Sequence, residues 1–222
     1  MIRAVIFDFD GTVADTLPLL YGAFRQVFWE FGEETLTDQE IAARFGPPEE
    51  KMLAQYLPAD RFPAAVARFF ELYEEGHERL AMVRPSVVHL LTELSSRGLL
   101  SALVSNKGRR SMIISLARTG LGRWFPVVVT GDEVSRTKPD PEGIHLALSA
   151  LAVRPDQAIY VGDSGTDIQA ARRAGLAAAV HADWMTWHGA IDNNPADLHA
   201  KKPDDLLAWL DGYTHLAGQA DA

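Results

Sequence analysis

Val5-Ile6-Phe7-Asp8-Phe9-Asp10-Gly11-Thr12-Val13 is the stretch on which the reading turns. Its apolar part reads as a buried strand, and Gly11 marks the exit. Strand alternation places Asp8 and Asp10 on the same side. Two carboxylates crowded at one strand end repel each other unless a cation sits between them. The pattern therefore predicts a hard-metal site with one carboxylate left to do chemistry. A strand-end turn with solvated acids is the plainer reading of an Asp-x-Asp pair, and three matching motifs downstream weigh against it.

Between Asp15 and Arg84 the apolar spacing is helical and no strand pattern stands out. Leu20, Phe24, Val27, Phe28 and Phe31 share one face of a helix predicted over Leu17 to Phe31, which stops at Gly32. Thr37 is placed to cap a second helix, with Glu40 closing a capping box. Further helices are expected over Glu49 to Tyr56 and Ala64 to Leu80, with proline joints at Pro47-Pro48, Pro58 and Pro63.

After Pro85 helix and strand patterns alternate. Strands are predicted at Leu100 to Val104, Val127 to Val129, Ala158 to Val161 and Ala177 to Val180. Helices are predicted at Val87 to Ser96, Arg109 to Arg118, Pro141 to Leu151, Asp167 to Ala174 and Leu206 to Leu210. The tail from Ala217 is expected to be disordered. The alternation predicts an α/β fold with a parallel sheet covered by helices on both faces, and ligands outside the carboxyl ends of the strands. The helical segment reads as an insertion after the first strand.

The bulk numbers exclude several functions. A net charge of −9 argues against nonspecific nucleic-acid binding. The absence of cysteine excludes disulfides, cysteine-based zinc sites and a cysteine nucleophile. No apolar run is long enough to span a bilayer, and the N-terminus is already strand-like, so no membrane contact and a cytoplasmic location are expected.

Three more motifs sit at strand exits. Val104-Ser105-Asn106-Lys107 precedes a helix, and a hydroxyl with backbone N–H groups there makes an anion site, or simply a serine cap. In Thr137-Lys138-Pro139-Asp140-Pro141, the proline holds Lys138 in extended backbone, which suits an ammonium aimed at a phosphate or a carboxylate. In Tyr160-Val161-Gly162-Asp163-Ser164-Gly165-Thr166-Asp167, two carboxylates four residues apart can face one site if Asp167 lies in the first helical turn. Local readings explain each motif alone. They do not explain why all four fall at strand exits of one sheet.

The signature DFDGT at 8–12, SN at 105–106, KP at 138–139 and GDSxxD at 162–167 resembles the haloacid dehalogenase-like hydrolase superfamily, in its phosphoglycolate phosphatase-like branch. The resemblance implies a Rossmann-like core of residues 1–14 and 84–222, with an all-α cap of residues 15–83. It further implies Mg²⁺-dependent phosphoryl transfer on a small phosphorylated molecule. Asp8 would be the nucleophile, forming an aspartyl-phosphate. Asp8 and Asp163 would hold the metal with the Asp10 backbone carbonyl, and Asp167 would act from behind, on a metal-bound water or on Lys138. Asp10 would be the general acid and then the base. Ser105, Asn106 and Lys138 would hold the transferring oxygens, and Thr12 would help fix the loop carrying Asp10.

In the cap, Arg44-Phe45-Gly46-Pro47-Pro48-Glu49 resembles the substrate-facing loop. Gly46 would let the backbone turn near the ligand. Arg44 would reach a substrate carboxylate or distal phosphate, or else be a solvated helix-end arginine. Related sugar-phosphate mutases often carry an arginine soon after this glycine; here the vicinity reads Pro-Pro-Glu-Glu-Lys, which disfavours a mutase. Small-molecule phosphatase leads, with phosphoglycolate one candidate substrate. Pyrophosphatase and nucleotide or sugar phosphatase follow, and a non-turnover phospho-aspartate protein is the reading from another class. Several other residues take structural readings. Lys107, Arg109 and Arg110 read as a solvated face, with oxyanion steering the alternative, and Phe28, Trp29 and Phe31 as cap packing. His181, Asp183 and His188 read as a loop away from the site. Trp184 and Trp187 either line the site entrance or cover the core.

Overall fold

The computed structural model describes residues 1–185 and 195–220, with side chains through Tyr213. Strand β1 (Ala4–Phe7) lies at the middle of a six-stranded parallel sheet. The others are β2 (Leu100–Val104), β3 (Val127–Val129), β4 (Ala158–Gly162), β5 (Ala178–Ala182) and β6 (Leu198–Ala200), in the order β3-β2-β1-β4-β5-β6. Every residue of β1 and β4 is buried, as expected where both faces are covered and the strand needs no polar side.

Alternation splits the strands between two cores. Val5, Phe7, Leu103, Ile159 and Val180 point to the face covered by α5 (Pro85–Ser96), α6 (Arg109–Thr119) and α9 (Pro203–Ala220). Ile6, Ala102, Tyr160 and Ala179 point to the face covered by α7 (Glu142–Leu151) and α8 (Gly165–Arg173). The chain runs from β1 out to β3, then returns to place β4 on the other side of β1. The order reverses at β1, so a crevice opens at the carboxyl ends of β1, β2 and β4.

The helical insertion comprises α1 (Leu17–Gly32), α2 (Asp38–Ala42), α3 (Glu49–Tyr56) and α4 (Phe62–Leu80). Thr37 and Glu40 form the expected capping box, with N–O distances of 2.8 and 3.3 Å. Phe24, Phe28, Phe69 and Tyr73 build an apolar cluster of the insertion's own. Phe24 and Phe69 pack at 4.6 Å between ring centres, and truncating either ring to Ala would cost about 3–5 kcal/mol. The chain leaves and re-enters the sheet layer at one point, where Asp15 and Met82 exchange backbone hydrogen bonds of 2.8 and 3.0 Å. Helix α4 also docks on α6, where Ser115 Oγ lies 2.7 Å from the Tyr73 hydroxyl and 3.2 Å from His77 Nε2.

Several expectations need correction. Helix α8 begins at Gly165, not Asp167, because Ser164 caps it and Asp167 is the closing residue of that box. Strand β5 extends to Ala182, so His181 is a buried strand residue rather than part of a loop. The short β6 gives no apolar run to read. The last helix extends from Pro203 to Ala220, so the tail expected to be disordered is helical that far; residues 221–222 lie outside the described ones. Trp29 points outward at 60% exposure while its neighbour Phe28 is buried, because one step along α1 turns the side chain by about 100° and off the buried stripe. Trp184 is buried and donates to the Thr12 carbonyl at 2.8 Å, so it braces the first loop from the core. Trp187 and His188 lie outside the described residues.

Candidate active site

The four motifs meet in one cleft of about 700 Å³ between the sheet and the helical insertion. Asp8, Asp10, Ser105, Asn106, Lys107, Lys138 and Asp163 form its floor. Asp8 follows β1 directly, its N–H bonded to the Val161 carbonyl at 2.9 Å. Strand alternation does not bring Asp10 alongside. The strand ends at Phe7, and a tight turn does the work: the N–H groups of Val13 and Ala14 bond the Phe9 carbonyl, and Gly11 bonds back to Ala14. Gly11 sits at φ +79°, and a Cβ there would meet Asp163 Oδ2 at 2.6 Å. The site thus needs glycine for its backbone angle and for its space.

Lys138 is buried at the centre. Its Nζ lies 3.0 Å from Asp8 Oδ1, 2.6 Å from Asp167 Oδ1 and 2.9 Å from the Tyr160 hydroxyl. Tyr160 in turn donates to the Val104 carbonyl at 2.6 Å. Burial alone would lower the ammonium's pKa, but Asp167 and Asp8 together drive it well above the ordinary lysine value. Lys138 precedes a cis proline, and its backbone is clamped by Asn106, whose Oδ1 accepts from Lys138 N–H at 2.9 Å and whose Nδ2 donates to its carbonyl at 3.1 Å. Both polar ends of the Asn106 side chain are therefore engaged in positioning Lys138. The second Nδ2 hydrogen and the backbone N–H of Asn106 remain as donors for a bound oxygen. Ser105 Oγ accepts from Lys107 N–H at 3.4 Å and supports the ionised form of Asp8.

Asp8, Asp163 and Asp167 bring carboxylate oxygens within 4.8 Å of one another. Thr12 donates to Asp163 Oδ1 at 3.2 Å, which ties the loop carrying Asp10 to this carboxylate. Asp167 is fully committed: Oδ1 to Lys138, and Oδ2 to Ser164 N–H at 3.0 Å and Ser164 Oγ at 2.6 Å. Gly162 leaves room for it, since a Cβ there would collide with the Asp167 carboxyl. Burial, then Lys138 opposing and Asp167 adding, leaves the Asp8 carboxyl pushed up to about 6. Asp163 is pushed well above the carboxylate range by burial and by Asp167 and Asp8. Carboxylates that dry and that close lack positive charge, and a hard divalent cation with oxygen ligands supplies it. The cluster fits a metal site, with Asp8 and Asp163 offering the less committed oxygens.

Asp10 turns to a different cation. Its carboxylate receives Lys107 Nζ at 3.1 and 3.2 Å and the Thr16 hydroxyl. Lys107 does not belong to a solvated face. Its side chain is fully covered, 3.4 Å from Glu49 Oε1 and 4.8 Å from the Tyr73 ring centre. Burial would lower its pKa, but Asp10, Tyr73 and Glu49 raise it. Its neighbours do face outward, with Arg109 on Glu133 and Arg110 over the Phe70 ring. Glu49, the first residue of α3, ties the insertion to the floor. It accepts from Gly108 N–H at 2.7 Å and Ser111 Oγ at 2.5 Å. The motif reading missed Thr16, Lys107, Glu49 and Tyr73 in this group.

Of the cap residues singled out, Gly46 lines the cleft at φ +143°. Arg44 does not. It lies between the rings of Phe28 and Tyr56, at 4.6 and 4.2 Å, with its guanidinium on Glu34. It is not a solvated arginine: the two aromatic faces and Glu34 hold it, and among the described residues its Nη1 has no hydrogen-bond partner. Among the described residues, no helix is long and apolar enough to cross a membrane.

Residues 5–181 match the family model described as haloacid dehalogenase-like hydrolase. Pyrophosphatase PpaX of Bacillus velezensis is 31% identical over 98% of this chain and 97% of its own. The plasmid phosphoglycolate phosphatase of Cupriavidus necator is 35% identical over 93% of this chain and 90% of its own. The crystal structure of CbbY from Rhodobacter sphaeroides in complex with phosphate aligns with a TM-score of 0.81 over 93% of this chain and 96% of that one; at 23% identity, this is a likeness of fold.

Proposed function

The chain belongs to the haloacid dehalogenase-like hydrolase family and is a phosphatase; we propose that it hydrolyses a small-molecule phosphate monoester, with Mg²⁺, through an aspartyl-phosphate on Asp8. The observation that carries this reading is the meeting of Asp8 with Lys138, Asp163 and Asp167 at the strand ends, on the opposite wall from an inserted helical cap.

Asp8 attacks phosphorus; the new Oδ–P bond forms as the ester P–O bond breaks. Asp10 gives its proton to the leaving alkoxide, then takes one from the water that attacks the aspartyl-phosphate. That second attack breaks the Oδ–P bond, releases inorganic phosphate and restores Asp8. Lys138 holds Asp8 in line and balances charge on the transferring oxygens. The Ser105 hydroxyl and the backbone N–H groups before α6 offer donors to the same oxygens. Thr16 and Lys107 aim Asp10. Asp8 and Asp163 would hold the metal with the Asp10 carbonyl, and Asp167 acts through Lys138. Bound there, the ion would screen the dianion from the attacking carboxylate. Residues 15–83 serve as the cap that selects the leaving group.

The relatives' names place pyrophosphate and phosphoglycolate on the panel to be tested. Phosphate release should be Mg²⁺-dependent, lost in EDTA and lost in Asp8→Asn. Release that persists in the variant would remove the covalent step.

A further inference from the structure

The cap wall of the cleft is built differently from its floor. Leu20, Tyr21 and Phe24 of α1, Phe45, and Met52 of α3 line it. Tyr21 and Phe45 stack with ring centres 5.5 Å apart and planes at 11°. Among the described residues, no lysine, arginine or histidine of the cap lines the cleft. Four of the cap's five arginines pair elsewhere, Arg25 with Asp38, Arg44 with Glu34, Arg61 with Glu33 and Arg68 with Glu30, and neither Arg79 nor Lys51 lines the cleft.

Among the described residues, the lysines lining the cleft are Lys107 and Lys138, each already between two carboxylates. A substrate's phosphoryl group can use Lys138 and the donors at Ser105. A second anionic group, pointing at the cap, would meet mostly apolar side chains, the neutral Gln39 amide and Tyr21 hydroxyl, and the Glu49 carboxylate, and no cation among the described residues. Taking a charge out of water against such a wall is unfavourable, and among the described residues no cationic side chain of the cap offsets it. The size argues the same way: about 700 Å³ is room for a ring, and a two-carbon acid or a second phosphate leaves most of the apolar wall uncovered.

On the phosphatase reading above, we propose that the leaving group of the substrate is uncharged and carries an apolar or aromatic body that lies against Tyr21, Phe45 and Met52. The cleft then selects against phosphoglycolate, pyrophosphate and bisphosphates.

Benzyl phosphate and phosphoglycolate test this well, because both release a primary alkoxide and differ in what the cap must hold. The kcat/KM for benzyl phosphate should exceed that for phosphoglycolate by about 100-fold. Calorimetry with Asp8→Asn, where turnover is blocked, should show the same order in binding. Phe45→Leu should lower kcat/KM for benzyl phosphate about tenfold relative to that for phosphoglycolate. Ala43→Lys puts an ammonium at an exposed position on the cleft wall and should narrow the gap by about tenfold. Equal or reversed preference in the wild type would overturn the substrate class while leaving the phosphatase reading intact. No release from any phosphate compound would overturn both.

Discussion

Replacing Asp8 by asparagine should stabilise the metal-free protein while abolishing its turnover. The Asp8 carboxyl is pushed from its ordinary 3.8 up to about 6, chiefly by burial, with Lys138 opposing and Asp167 adding. At about 1.4 kcal/mol per pH unit, that gap means the ionised carboxylate costs folding about 3 kcal/mol. The sign follows from proton uptake. The folded protein binds this proton more tightly than the unfolded chain, so the stabilising contribution is whole below pH 3.8 and is lost as pH rises through about 6. Asparagine has the shape and carries no charge at any pH. In EDTA, the variant's melting temperature should match wild type near pH 4 and exceed it by about 6–12 °C above pH 7. Scanning calorimetry across that range measures it. Adding Mg²⁺ should raise the wild type more than the variant. A variant no more stable than wild type in EDTA at pH 8 would refute the argument that these carboxylates are held together short of positive charge.

Lys107→Met removes a buried ammonium and leaves Asp10 and Glu49 without it, at a cost of about 3–5 kcal/mol in urea unfolding; a loss below about 1 kcal/mol would show that the pairing is idle. Asp10→Asn should slow benzyl phosphate far more than p-nitrophenyl phosphate, whose leaving group needs no proton, and equal slowing would remove the general-acid role. Glu49→Gln leaves a weaker, neutral acceptor for Gly108 N–H and Ser111 Oγ, so hydrogen exchange at the Gly108 amide should speed up by about tenfold. Unchanged protection there would show that Glu49 does not fasten the cap.

The exits of β1, β2 and β4 were legible because each combines an apolar run with a short polar motif within a few residues; Lys138 is expected at a strand exit too, but it lies far along the connection from β3 (Val127–Val129) to α7. The Thr37–Glu40 cap was legible for the same local reason. Lys107 was not. Its immediate context, Lys-Gly-Arg-Arg, is that of a surface turn, and its burial is decided by Tyr73 and Glu49 from the insertion. Arg44 misled in the same way: Phe28 and Tyr56 belong to two different helices, and only the packed cap brings their rings to either side of it. Asp10 was placed at the site for the wrong reason, since the turn through Gly11 delivers it. The split between a carboxylate trio around Lys138 and a separate Asp10–Lys107 pair needs distances that no spacing in the sequence encodes.

The covalent step is the centre of the account, and rapid acid quenching with mass spectrometry tests it most directly. Enzyme mixed with benzyl phosphate and Mg²⁺ and quenched during turnover should carry one phosphoryl group on the tryptic peptide running from Ala4 to Arg25, at Asp8. The Asp8→Asn protein should carry none. Phosphate release at full rate with no phosphorylated peptide at any quench time would contradict the mechanism.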